Sequence, residues 1–172
     1  MFNSDPSKGQ ANLQLAIWNK QAESTSSEGL YIRIQELGLP LEVTSMLHDL
    51  LIKVSSIAGK VIYIGKIILI KILEFVEEHF FLVAGASIGA VIGSALAGLI
   101  TSIPLIGPLL APIAAALGLT VTALGAITGY QIDKVVPGVG KSLIEVAKEF
   151  FKLFANIIKA VFADQSSDFS IA

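Results

Sequence analysis

Residues 80–132 read FFLVAGASIGAVIGSALAGLITSIPLIGPLLAPIAAALGLTVTALGAITGYQI, and not one of these 53 residues is Asp, Glu, Lys, Arg or His. A hydrocarbon core of about 30 Å needs about 20 apolar helical residues to cross it. The run holds two such lengths, residues 80–102 and 109–131. Between them lies SIPLIGPLLAP, which sets Pro104, Pro108 and Pro112 at four-residue intervals. Proline donates nothing to a helix ladder and disfavours helix in the residue before it. The stretch therefore predicts two apolar helices that turn near residues 103–108, with both ends of the hairpin on one side.

The rest of the composition agrees with a chain that needs apolar surroundings. Of 172 residues, 53% are hydrophobic and a further 15 residues are Gly, while only 15% are charged. Ordinary globular chains are about 45–50% apolar with Gly included and about 25% charged. Mean hydropathy is +0.74. A soluble chain this short has few polar residues with which to cover such a core, so lipid or self-association is expected. A net charge of −2 points to no nucleic-acid partner. The chain has no Cys, which excludes disulfides, thiolate metal sites and thiol nucleophiles. The opening MFNSDPSKGQANLQ has no basic segment leading into an apolar one, so no secretory signal is expected.

Outward from the hairpin, residues 41–79 predict one long helix of about 58 Å. Pro40 before it and Glu42 in its first turn suit a helix start. Its polar residues recur every three or four positions, including Lys53, Lys60, Lys66 and Lys71, as a narrow stripe on an otherwise apolar cylinder. Such a stripe faces either an aqueous interface or a wet cavity within an assembly. Glu77, Glu78 and His79 close this helix at the mouth of the hairpin, and with Asp133 on the far side they form a candidate rim.

Residues 133–163 predict a second amphipathic helix after the loop DKVVPGVG. Lys141, Glu145, Lys148, Lys152, Asn156 and Lys159 mark one side, and Phe150, Phe151, Phe154, Ile157, Ile158, Val161 and Phe162 the other. That face suits a membrane interface or packing against residues 41–79. Residues 1–40 are a polar N-terminal segment. Within it, residues 11–22 suit a short helix with Leu13, Ile17 and Trp18 on one face, residues 24–29 a linker, and LYIRIQEL either a short strand or the opening of a helix. Residues 164–172 are a polar tail.

Within the hairpin, small residues recur every fourth position. Gly85, Gly89, Gly93 and Ala97 form one row; Gly118, Gly125 and Gly129 belong to others. In lipid, such rows let helix backbones approach closely. The chain thus resembles glycine-zipper hairpin membrane proteins. Its proline turn between Gly/Ala/Leu/Ile arms resembles the oleosins over about 50 residues, although their proline knot has a longer first gap and their hairpin is longer. The oleosin resemblance implies a lipid-surface coat rather than transport.

Two catalytic-looking strings do not survive their context. Gly85-Ala86-Ser87-Ile88-Gly89 spells G-x-S-x-G, but both histidines, His48 and His79, precede it, whereas the elbow needs a preceding strand and a later Asp and His. Gly138-Val139-Gly140-Lys141-Ser142 resembles the end of a phosphate loop, but Val135 stands where that loop needs Gly. No catalytic, cofactor or metal constellation is expected. The expected class is an all-α membrane protein: a helical hairpin flanked by two amphipathic helices, self-assembling on or in a bilayer as a homo-oligomer. Its role is then a pore or bilayer-permeabilising protein. Alternatives are a scaffold or coat without transport, or an accessory subunit docking through residues 18–37.

Overall fold

The computed structural model describes residues 7–57, 59–79, 88–118, 120–121, 127–128 and 140–162. Among them are eight α-helices, two 3-10 turns and two short antiparallel strand pairs. The chain is mostly helical, as the composition and periodicity lead one to expect.

The N-terminal segment is not a polar appendage. Helix α1 (Lys8–Ser24) opens with a capping box: Gln10 N donates to Ser7 Oγ at 3.2 Å and Ser7 N donates to Gln10 Oε1 at 3.0 Å. Two otherwise orphaned donors are thereby satisfied. Its buried residues are Ala11, Leu15, Trp18 and Ala22, whereas Leu13 and Ile17 point to solvent. The helix was expected; of its expected face Trp18 is buried but Leu13 and Ile17 are not, and Ala11 and Ala22 let α1 lie close to its neighbours. The expected linker at 24–29 shrinks to a joint. Thr25 caps the end of α1, and Ser26 Oγ accepts from Gly29 N at 3.1 Å to start helix α2 (Ser27–Glu36). LYIRIQEL is thus helical, and its Leu30 and Ile34 enter the core.

Residues 41–79 are not one helix. Helix α3 (Leu41–Asp49) runs into a 3-10 turn (Leu50–Ile52), and the chain then forms the strands β1 (Ser55–Ile57) and β2 (Lys60–Ile62) before helix α4 (Ile64–His79). The strands pair Ser55 with Ile62 and Ile57 with Lys60. Gly59, at φ +81°, lies in their turn. Local chemistry explains the break. VSSI and KVI bring together β-branched residues and serines, and Gly59 supplies the left-handed conformation a tight hairpin needs. The three-or-four spacing of polar residues across this segment is coincidental.

Helices α4 and α5 (Ile88–Ser102) form the centre. Eleven of the sixteen α4 residues are buried, and so is every α5 residue from Ala90 to Ile100. A helix apolar on all sides belongs inside a core or a membrane. Here the other helices surround the pair. Helix α1 packs on α4, α3 packs on helix α6 (Gly107–Ala116), α6 folds back on α5, and helix α7 (Gly140–Phe150) lies along α5. Helix α8 (Lys152–Phe162) packs on α1. The expected C-terminal helix is thus two helices parted at Phe151. Its Phe-rich face turns inward: Phe150 and Phe151 stack around Phe75 of α4 at 5.3 and 5.5 Å, and Phe154 meets Trp18 at 5.2 Å.

The start of α4 is seated with no free space. A Cβ built on Gly65 would stand 1.7 Å from the carbonyl oxygen of Leu50, and Gly65 N donates to Lys53 O at 3.0 Å. Gly65→Ala must therefore displace backbone from backbone. The expected outcome is a loss of more than about 3 kcal/mol of folding stability, at or above the upper end for overpacked sites, read from the urea midpoint. The propensity gain of Ala over Gly, about 1 kcal/mol, is too small to offset it.

Candidate functional site

The turn of the apolar stretch falls where the prolines put it. After α5, Ile103 leads into a 3-10 turn (Pro104–Ile106) and then α6, and the two helical arms meet with a bend of 117°. Pro104 and Pro108 occupy opening positions, where the missing N–H costs nothing. Pro112 lies inside α6 on its exposed side.

The second arm departs from expectation. Helix α6 ends at Ala116, and β3 (Thr120–Val121) pairs antiparallel with β4 (Ile127–Thr128) where helix was predicted to run on to residue 131. Gly118, at φ +87°, follows the last turn of α6, and its N–H bonds to Ala115 O at 2.9 Å. It is a helix stop rather than a helix-packing residue. Among the described residues no single helix is long and apolar enough to cross a membrane; α5 with residues 104–116 is one bent pair that has the length and composition together.

The small-residue row is partly visible. Gly93 and Ala97 are buried in α5, Gly89 is half-buried, and Gly85, Gly125 and Gly129 lie outside the described residues. A close helix approach uses a residue outside the predicted rows. A Cβ on Gly98 would come within 2.8 Å of Ala147 Cβ and 3.1 Å of its carbonyl carbon, which marks where α5 and α7 cross. The signal in the sequence was Ala147 itself, a small residue on the otherwise bulky apolar face of LIEVAKEF.

The four lysines do not form a stripe. Lys53 follows the first 3-10 turn, and Lys60 is exposed on β2. Lys66 is buried and its Nζ donates to Thr25 O at 2.6 Å, where α1 ends. Cations belong at that end of a helix, because unsatisfied carbonyls concentrate there. Lys71 lies 3.4 Å from Glu74 Oε2 and 4.5 Å from the centroid of the Trp18 ring. The break between α3 and α4 scatters what a continuous helix would have aligned.

The candidate rim is also divided. Glu77 pairs with Arg33 of α2, and Glu78 is exposed. The His79 ring lies 3.0 Å from Phe75 O through Nδ1 and packs edge-on to Phe150 at 5.4 Å. Asp133 lies outside the described residues. Among the described residues no group of three or more His, Asp or Glu side chains is arranged to hold a metal.

Missed altogether was the fastening of α1 and α2 onto α4. Asn19 donates from Nδ2 to Val61 O at 3.0 Å, and its Oδ1 accepts from Tyr63 N at 2.8 Å. With Lys66–Thr25 and Arg33–Glu77, this makes a line of polar contacts along the seam of the outer helices with the β2–α4 segment. No periodicity marks a lone Asn bridging 44 positions to Tyr63. The residues proposed for docking a partner, 18–37, place Trp18, Leu30 and Ile34 in the chain's own core.

The chain matches no family model, no curated sequence and no solved structure.

Gly98→Ala is expected to cost about 1–3 kcal/mol in a urea melt, although the same change in a water-exposed helix gains about 1 kcal/mol. The double variant Gly98→Ala, Ala147→Gly should recover most of the loss, since it restores the space at the crossing.

Proposed function

We propose that this protein is a membrane-inserting, self-assembling protein that permeabilises a bilayer, with the α5–α6 hairpin as the inserting element. The observation that carries this reading is the burial of α5. A charge-free helix followed by a proline bend is held at the centre of the molecule, wrapped by the other helices. In water that arrangement keeps the apolar hairpin covered. At a bilayer, lipid replaces the wrapping helices as the cover for α5, and the inward apolar faces of α7 and α8 then suit the interface. The small residues Gly93, Ala97 and Gly98 would contact neighbouring copies once the hairpin is among lipids.

The outer helices must part from α4 and α5 for insertion, so the polar seam sets how readily the change begins. Asn19 is its one side chain with two backbone bonds to the β2–α4 segment.

Purified protein added to liposomes loaded with a self-quenched dye should release the dye. Asn19→Ala, which leaves two backbone groups unpaired in the wrapped form, should raise the initial rate about tenfold, because losing about 1–3 kcal/mol of seam enlarges the open population accordingly. Stable insertion into intact vesicles would select a scaffold or coat in place of a pore. Protein that stays in the aqueous phase beside intact vesicles would overturn the membrane reading.

A further inference from the structure

Where the β1–β2 hairpin overhangs the groove between α1 and α8, the chain leaves a cavity of about 300 Å³. This is the lower bound of small-molecule sites, which run from about 300 to 1,000 Å³. Leu15 of α1, Ile62 of β2 and Val161 of α8, all buried, make an apolar floor. Ile57 of β1 closes one side, and Ala16 of α1 stands at the open edge.

The rim carries two polar side chains, Lys60 and Asn12. Both are exposed. Among the described residues Lys60 has no carboxylate within ion-pair distance, and the Asn12 side chain makes no hydrogen bond. Lys66 and Lys71, by contrast, are engaged: Lys66 has a carbonyl, and Lys71 has Glu74 and the Trp18 face, while Lys53 stands beside Asp49 at a smaller cavity. Lys60 brings positive charge to the edge of an apolar hole and has nothing to neutralise it.

We infer that this cavity binds a single-chain anionic amphiphile of the fatty-acid class, its chain on Leu15, Ile62 and Val161 and its carboxylate between Lys60 Nζ and the Asn12 amide. The charge of the lone cation selects an anion. The apolar floor selects an aliphatic tail over a free inorganic ion, which has no apolar surface to bury. The volume is that of about ten waters at liquid density, and so suits a chain of about ten carbons. The binding does not rest on the membrane reading, since the groove is formed by α1, α8 and the strands in the wrapped form.

Decanoate, kept below its micelle concentration, is the probe, titrated into the full chain by calorimetry without vesicles. Saturable one-to-one binding is expected. Lys60→Met should weaken it about tenfold, the usual scale of a charged hydrogen bond, and decanol should bind the unmodified protein about as weakly. Ala16→Phe, at an exposed helical position, should fill the groove and abolish binding while leaving the circular dichroism unchanged. Ile17→Ala, at an exposed α1 position that does not line the cavity, should bind like the unmodified chain. Non-saturating uptake, or saturable binding that neither Lys60→Met nor Ala16→Phe alters, would overturn the proposal. If Ala16→Phe alone abolishes binding and Lys60→Met leaves it unchanged, the anion assignment fails. Dye release by the same variants reads the membrane proposal separately, so failure of one does not decide the other.

Discussion

Helix α5 has no charged side chain and must be covered on every side, and the remaining elements take their places from that constraint. Val91, Ile92, Leu96, Leu99 and Ile100 of α5 are all at most 1% exposed. Returning these five to water would cost on the order of 10 kcal/mol at about 1.5–3 kcal/mol each. Whole-domain stabilities are of the same size, about 5–15 kcal/mol. Exposure of α5 to water is therefore close to unfolding. The same number accounts for the enclosure of α5 by the other helices.

Close approach is the second condition. A cover works only if it leaves no space, and here it is achieved by deleting side chains rather than by interlocking large ones. Gly65 lets the start of α4 rest against the Leu50 carbonyl, and Gly98 lets α5 and α7 cross at Ala147. Ala11 and Ala22 do the same for α1, both at 0% exposure. The aromatic residues fill what remains: Phe75 with Phe150 and Phe151 around α4, and Trp18 with Phe154 where α1 meets α8. Polar contacts sit at the edges of this packing. Arg33–Glu77 is an exposed pair, of the kind worth about 0–1 kcal/mol. Asn19 and Lys66 act on backbone atoms at a chain joint and a helix end. They fix the register of the outer helices.

How much was legible depended on whether local chemistry or distant neighbours decided each feature. Pro104 and Pro108 impose their backbone wherever they stand, so the turn was placed correctly. Gly118 was misassigned to a packing row because its role depends on its conformation, and a glycine's letter does not distinguish a packing face from a helix stop. Residues 41–79 failed for a different reason. Lys53, Lys60, Lys66 and Lys71 satisfy helical spacing by chance, while the β-branched residues and Gly59 between them favour the hairpin that forms. The inward face of α1 was misjudged because hydrophobicity favoured Leu13 and Ile17, whereas the space available favoured Ala11, Leu15 and Ala22.

The amino-acid sequence by itself determined that the chain is mostly helical, where its apolar stretch bends, and that its centre carries no charge; these follow from side-chain chemistry and backbone restrictions that act over a few residues. Only the tertiary structure decided what covers that centre, which glycines touch a neighbour, and which lysines are buried, paired or free. Those outcomes depend on contacts between residues far apart in the chain. Asn19 with Tyr63 and Gly98 with Ala147 meet only because α5 and the buried side of α4 have to be enclosed together.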